Sequence, residues 1–130
     1  MALGLAGSGC SNGAAGGTPL ASVAVSEHDF HIKEAQKVSA GKVDLAVHNG
    51  GPDAHELIVV RGHSQTLPMR NDGITVNEEA LTSETVGVLE PGNPGARRNL
   101  VVNLKPGHYV LFCNMYGHYR AGMHTDLVVQ

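Results

Sequence analysis

The chain contains the stretch Tyr109-Val-Leu-Phe-Cys113-Asn-Met-Tyr-Gly-His118-Tyr-Arg-Ala-Gly-Met123, and this stretch decides how its fold is interpreted. The apolar and aromatic residues up to Cys113 predict a β-strand, and a further strand is predicted from Asp126 to Val129. A thiolate, an imidazole and a thioether follow one another in the loop between these strands, with the spacing Cys-x4-His-x4-Met. Such a loop can fold three side chains around one point, so the pattern predicts a metal site.

The donor types in this loop indicate which metal it would hold. Soft sulfur ligands favour Cu(I), imidazole binds both Cu(I) and Cu(II), and two His with one Cys and a weak axial Met form electron-transfer copper sites. The set therefore needs a second histidine from elsewhere in the chain. His55 meets this need, because it lies in the turn-rich segment Asn49-Gly-Gly-Pro-Asp-Ala-His55-Glu, which leads into the apolar run 57–60. The predicted cofactor is one copper ion, and its predicted ligands are His55, Cys113, His118 and Met123.

Apolar residues in the rest of the chain recur with a period of two, as in half-buried strands. The pattern is clear at Val23 and Val25, at Phe30 and Ile32, and in segments 43–47 and 100–104. The run 57–60 is continuously apolar, which is typical of a strand covered on both faces. Together these segments predict an all-β domain: a single Greek-key antiparallel β-sandwich of about seven or eight strands.

The segment from Gly62 to Glu84 interrupts the strand pattern with polar residues and scattered Gly and Pro. It predicts a long excursion between two strands. One helical turn is expected within it, capped by Asn77 ahead of Glu78-Glu79-Ala80.

The N-terminal residues are predicted to stand apart from the domain. The segment Ala6-Gly-Ser-Gly-Cys10-Ser-Asn12 resembles the lipobox of bacterial lipoproteins, in which the cysteine carries the lipid. It departs from that pattern because the preceding apolar run is short and has no Lys or Arg, so a tail with an incidental cysteine is the alternative. Gly and Ala dominate the next residues, which predicts a flexible tether. We expect residues 1–19 to form a signal remnant and tether, and residues 20–130 to form the domain.

Composition excludes several classes of function. The 130 residues are 42% hydrophobic, enough for one core but not for a second domain of ordinary size. The nine Lys and Arg residues and twelve Asp and Glu residues form no long runs, which argues against a nucleic-acid partner. No apolar stretch is long enough to span a bilayer as a helix. We expect a monomer that can have a lipid anchor at Cys10.

The combined pattern resembles the cupredoxin family, whose members have an isolated upstream histidine and then Cys, His and Met in one loop. The four-and-four loop spacing is similar to that of the rusticyanin, auracyanin and sulfocyanin members. The lead-in Pro106-Gly-His-Tyr109 also resembles the Pro-Gly-x-Tyr of cupredoxins. The resemblance covers the range from Ala21 to Gln130.

The resemblance implies a role for each predicted ligand. Cys113 would form the short covalent bond to copper that produces the intense colour. His55 would be the buried equatorial ligand, and His118 the equatorial ligand whose edge passes the electron. Met123 would be the long axial ligand. This sequence departs from many cupredoxins in having Glu56 after the upstream histidine. We predict that Glu56 and Asn114 tie the two parts of the site together.

The predicted function is single-electron transfer outside the cytoplasm, between a redox donor protein and a redox acceptor protein. Catalysis is not expected, because four protein ligands leave no open position for a substrate. Met115, Tyr116 and Tyr119 are interpreted either as a docking patch near His118 or as packing of the loop onto the domain. The alternatives are a periplasmic copper store or chaperone, and a metal-free interaction domain if His55 is held away from the loop. The remaining histidines are expected to be surface or structural residues: His28, His31, His48, His63, His108 and His124.

Overall fold

The structure is a computed structural model that describes residues 21–35 and 37–130. Cys10 and the predicted tether lie outside the described residues. Two short 3₁₀ turns, Ser64–Thr66 and Glu79–Leu81, accompany nine strands. The strands are β1 (Ala21–His28), β2 (His31–Lys33), β3 (Lys37–Val38), β4 (Gly41–Asn49), β5 (His55–Arg61), β6 (Thr85–Gly92), β7 (Arg97–Leu104), β8 (Gly107–Phe112) and β9 (His124–Val129). In these two ranges no helix is long and apolar enough to cross a membrane.

The strands form two sheets that pack face to face, in the orders β2-β1-β4-β7 and β3-β9-β8-β5-β6. The predicted all-β sandwich is confirmed, but the predicted antiparallel pairing does not hold for every pair of strands. Both sheets are mixed, because β1 pairs with β4 and β3 pairs with β9 in parallel, whereas the other pairs are antiparallel. The period-two pattern indicates only which face of the sheet each side chain lies on. Side chains alternate in the same way beside parallel and antiparallel neighbours, so the pattern does not distinguish the two.

The main core lies between the two sheets and follows the alternation seen in the sequence. In β4 the inward residues Val43, Leu45 and Val47 are buried, and those between them are only half-buried. They pack against inward residues of the other sheet, including Leu57 and Leu111. Fully burying each such side chain stabilises the fold by about 1.5–3 kcal/mol.

A second, smaller core explains the continuous apolar run in β5. Ile58 and Val60 point away from the main core and pack with Val110 and Phe112 of β8. The 62–84 excursion covers this outer face, since its residues Val76 and Leu81 are buried in the same cluster. The expected helical turn is present, and the Asn77 side chain accepts a hydrogen bond from the N–H of Ala80 at 3.2 Å.

Candidate metal centre

Three of the four predicted ligands are brought to one end of the five-stranded sheet. His55 is the first residue of β5, and Cys113 directly follows β8. These two strands are antiparallel neighbours, with Ile58 opposite Phe112, so the start of one meets the end of the other. His118 reaches the same point from the loop that joins β8 to β9.

The donor atoms of these three residues converge. The Sγ atom of Cys113 lies 3.6 Å from Nδ1 of His118 and 4.0 Å from Nδ1 of His55, and the two Nδ1 atoms are 3.2 Å apart. Bonds of about 2.0 Å to nitrogen and 2.3 Å to sulfur, as in zinc sites, separate neighbouring donors by about 3.3–3.7 Å. The observed 3.6 Å lies in this range, and 3.2 Å and 4.0 Å lie within about 0.3 Å of it, so the residues fit a single ion of this size. They are the one group in the described part of the chain whose His, Cys or carboxylate atoms converge in this way.

Burial favours the protonated thiol of Cys113 and the neutral imidazole of His55 in the metal-free protein. His55 and Cys113 are 0% exposed and His118 is 9% exposed. Burial raises the pKa of the Cys113 thiol to about 11. Burial also lowers the pKa of His55, which favours the neutral imidazole that can bind a metal. A metal ion would therefore displace a proton from Cys113 when it binds.

Backbone hydrogen bonds hold the ligand loop closed. The N–H of Cys113 donates to the carbonyl oxygen of Met123 at 3.1 Å, and the N–H of Met123 donates to that of His118 at 3.1 Å. Gly117 and Gly122 have φ angles of 83° and 113°, which side-chain-bearing residues rarely adopt. Met123 is fully buried in the same core cluster as Cys113. Its role as the fourth ligand stays a prediction.

Carboxylates face the outer nitrogens of both histidines. Nε2 of His55 lies 2.7 Å from Oδ1 of Asp29, and Nε2 of His118 lies 3.6 Å from Oδ2 of Asp53. The sequence analysis did not identify either aspartate. Asp53 lies two residues before His55 and could have been considered, but no sequence signal marks Asp29, in the turn between β1 and β2.

The predicted contact between Glu56 and Asn114 is present. The backbone N–H of Asn114 donates to Oε1 of Glu56 at 3.1 Å. The side chain of Asn114 turns instead toward the excursion, where it exchanges two hydrogen bonds with the backbone of Val76 and donates to Glu78.

The aromatic residues of the loop divide between packing and exposure. Tyr119 is buried against Phe112, and its hydroxyl donates to the carbonyl oxygen of Ser64 at 2.7 Å. Met115 packs against the main core, whereas Tyr116 is 75% exposed. The packing interpretation therefore holds for Met115 and Tyr119, and Tyr116 is left at the surface.

The remaining histidines lie outside the converging group. The ring of His124 packs on Tyr119 with 4.5 Å between centroids. The others are exposed or half-buried: His28, His31, His48, His63 and His108.

No protein-family model and no curated protein sequence matches the chain. Solved structures do match it. An auracyanin from Roseiflexus castenholzii is 17% identical, with a TM-score of 0.61 over 88% of this chain and 99% of that one. Auracyanin A from Chloroflexus aurantiacus, described as a "blue" copper protein, is 17% identical, with a TM-score of 0.62 over 84% and 98%. Rusticyanin from Thiobacillus ferrooxidans is 14% identical, with a TM-score of 0.60 over 84% and 77%.

At identities this low, a structural match establishes a shared fold. The matches cover most of the described residues, and they place the present chain among auracyanin-like and rusticyanin-like sandwiches. The chain therefore has the cupredoxin fold, and it brings His55, Cys113 and His118 together at one end of the sandwich.

Proposed function

We propose that this protein is a type 1 copper protein that carries single electrons between redox partner proteins outside the cytoplasm. The observation that carries the proposal is the convergence of Cys113 Sγ with the Nδ1 atoms of His55 and His118 in a buried position. Two imidazoles and one thiolate are the equatorial set of electron-transfer copper sites. Copper, when bound, would supply a one-electron couple between Cu(I) and Cu(II).

The proposed ligands are His55, Cys113, His118 and Met123. His55, Cys113 and Met123 are buried in the packed core, and His118 comes from a loop closed by hydrogen bonds. The fold therefore holds the donors in place. Fixed donors limit the rearrangement that accompanies a change of oxidation state, which suits electron transfer better than catalysis. Four protein ligands also occupy the positions that a substrate would need.

His118 is where the proposed ligand set comes nearest to solvent. It is 9% exposed, whereas His55, Cys113 and Met123 are 0% exposed. The exposed ring of Tyr116 lies two residues before it in the loop. We propose that a redox donor and a redox acceptor contact this surface of a monomeric protein. Aromatic side chains exposed beside a polar group are typical of protein contact sites.

The test of this function is the visible absorption and EPR spectrum of the protein loaded with one equivalent of Cu(II), measured beside Cys113→Ser. We expect an intense thiolate-to-copper band and a narrow parallel hyperfine splitting, both lost in the variant. Voltammetry should show a reversible one-electron couple. A pale spectrum with ordinary hyperfine splitting would overturn the proposal. Rapid loss of Cu(I) to a chelator would favour a copper store or chaperone instead.

We also propose that a lipid anchor at Cys10 holds the protein at its location outside the cytoplasm. Mass spectrometry of the protein purified from its native cells tests this separately. A diacyl adduct on Cys10 at the mature N-terminus is expected. An unmodified N-terminus upstream of Cys10 would rule the anchor out without affecting the copper proposal.

A further inference from the structure

Asp29 makes a short contact with a proposed copper ligand on the side away from the other donors. Its Oδ1 lies 2.7 Å from Nε2 of His55, an ion-pair contact whose angle falls outside hydrogen-bond geometry. The other ring nitrogen of His55, Nδ1, faces the Sγ of Cys113 and Nδ1 of His118. The imidazole of His55 therefore lies between a carboxylate on one side and the converging donors on the other.

The backbone holds Asp29 in this position. The N–H of Asp29 donates to the carbonyl oxygen of Gly51 at 3.0 Å, and the N–H of Asp53 donates to Oδ1 of Asp29 at 3.1 Å. Asn49 stabilises the same loop, since its Oδ1 accepts from the N–H of Gly51 and its Nδ2 donates to the carbonyl oxygen of Asp53. The β4–β5 loop thus fixes the β1–β2 turn, and with it the carboxylate.

The chemistry of the carboxylate determines the tautomer of His55. An ionised carboxylate has no proton to donate and would repel a nitrogen lone pair 2.7 Å away, so Nε2 of a neutral His55 must carry the proton. The lone pair is then on Nδ1, which is the nitrogen that faces the other donors. A negative charge one ring away also makes the imidazole a stronger donor, and it favours the more positive oxidation state of a bound ion.

We propose that Asp29 is a positioning residue of the metal centre, which holds His55 as its Nε2–H tautomer and lowers the reduction potential through its charge. The second part rests on the proposed copper function, whereas the tautomer belongs to the protein itself. Among the described residues His118 has no equivalent partner, because Asp53 Oδ2 lies 3.6 Å from its Nε2 and the Asp53 side chain is 53% exposed. This contact is longer than that of His55 with Asp29, and solvent screens an exposed charge.

Asp29→Asn separates the charge from the contacts. The same Oδ1 atom contacts Nε2 of His55 and accepts from the N–H of Asp53, and an amide oxygen can make both contacts without the negative charge. Asp29→Ala removes the charge and the contacts together. Asp53→Asn is the matched control, since it removes an equal charge near the other histidine.

The experiment has two readouts. In the metal-free protein, ¹⁵N NMR should show His55 as the Nε2–H tautomer in the wild type and in Asp29→Asn, and as a tautomer mixture in Asp29→Ala. In the copper-loaded protein, Asp29→Asn should favour the reduced state about tenfold, which is about 59 mV for a one-electron couple. Asp53→Asn should shift the potential by clearly less.

Several outcomes would overturn the proposal. A Nδ1–H tautomer in the wild type, or an unchanged Nε2–H tautomer in a folded Asp29→Ala, would refute the positioning role. Equal shifts in potential for Asp29→Asn and Asp53→Asn would refute the specific effect of charge. If Asp29→Ala does not fold, the wild-type tautomer still tests the positioning role, and the Asp29→Asn potential still tests the effect of charge. Failure to bind copper would refute the proposed function and leave the tautomer result standing.

Discussion

The backbone N–H of Asn114 donates a hydrogen bond to Oε1 of Glu56 at 3.1 Å. This bond joins the residue after Cys113 to the residue after His55, two proposed ligands that come from different strands. Burial raises the pKa of Glu56, and the nearby carboxylate of Glu78 raises it further. Through its hydrogen bond to Asn114, this half-buried carboxyl group holds the start of β5 beside the end of β8 at the proposed metal centre.

We predict that Glu56→Ala weakens copper binding about 10–100-fold, as is typical when a partner of the ligands is lost. The unpaired N–H of Asn114 should also lower the free energy of unfolding by about 1–3 kcal/mol. Copper competition and urea unfolding measure the two effects. Glu56→Gln, whose amide oxygen can still accept the bond, should retain most of both properties. An unchanged spectrum, potential and copper affinity in Glu56→Ala would show that the bond does not support the site.

The side chain of Asn114 gives a second prediction, about the 62–84 excursion. Its amide satisfies both backbone groups of Val76, at 2.8 Å and 3.0 Å. Asn114→Ala leaves these buried groups unpaired, so we expect faster hydrogen exchange at the Val76 amide. The free energy of unfolding should fall by about 2–6 kcal/mol, since two bonds are broken. Asn77→Ala, which removes a more exposed bond in the same excursion, is the control. Unchanged exchange at Val76 would contradict the prediction.

Replacing Met123 tests the proposed axial ligand. Met123→Leu keeps a similar apolar volume and removes the thioether donor, so the fold should be retained. Loss of a donor disfavours Cu(II), and we expect the potential to rise by about 59 mV, a tenfold shift, while the thiolate-to-copper band remains. Met115→Leu is the control, because Met115 packs against the same core without a proposed ligand role. Equal potentials in both variants would show that Met123 is only a core residue.

Glu27 predicts an unusual pH dependence of stability. It is 1% exposed, its carboxylate oxygens have no hydrogen-bond partner among the described residues, and burial raises its pKa to about 7. The Arg98 charge opposes this rise. Between pH 4.5 and about 7 the folded state binds more protons than the unfolded state. Stability is therefore highest below the unfolded pKa and falls as pH rises through the folded pKa.

We predict that Glu27→Gln makes the metal-free protein more stable than the wild type at pH 8, by at most about 3 kcal/mol. The difference should vanish near pH 4, where both side chains are neutral. Urea unfolding at a series of pH values measures it, with the exposed Glu90→Gln as the control. Burial also raises the pKa of Glu34 to about 7, so the variant should retain some pH dependence of stability. A gap that is constant with pH would contradict the prediction.

Local patterns in the sequence predicted the fold class and the loop donors, because both depend on residues that are close together in the chain. Alternation along β4 reports its inward face, and the spacing of Cys113, His118 and Met123 places three donors in one loop. Strand β6 was not predicted, since Thr85–Gly92 is a half-exposed edge strand that contains Gly and Pro. The parallel pairing of β1 with β4 was not predicted either.

The sequence by itself determined which residues could bind a metal, because donor chemistry belongs to the side chain. Only the tertiary structure decided what surrounds those residues. Asp29 reaches His55 because the parallel pairing of β1 with β4 carries the β1–β2 turn to the β4–β5 loop. Contacts between segments distant in the chain depend on strand order and register, which a period-two pattern does not specify.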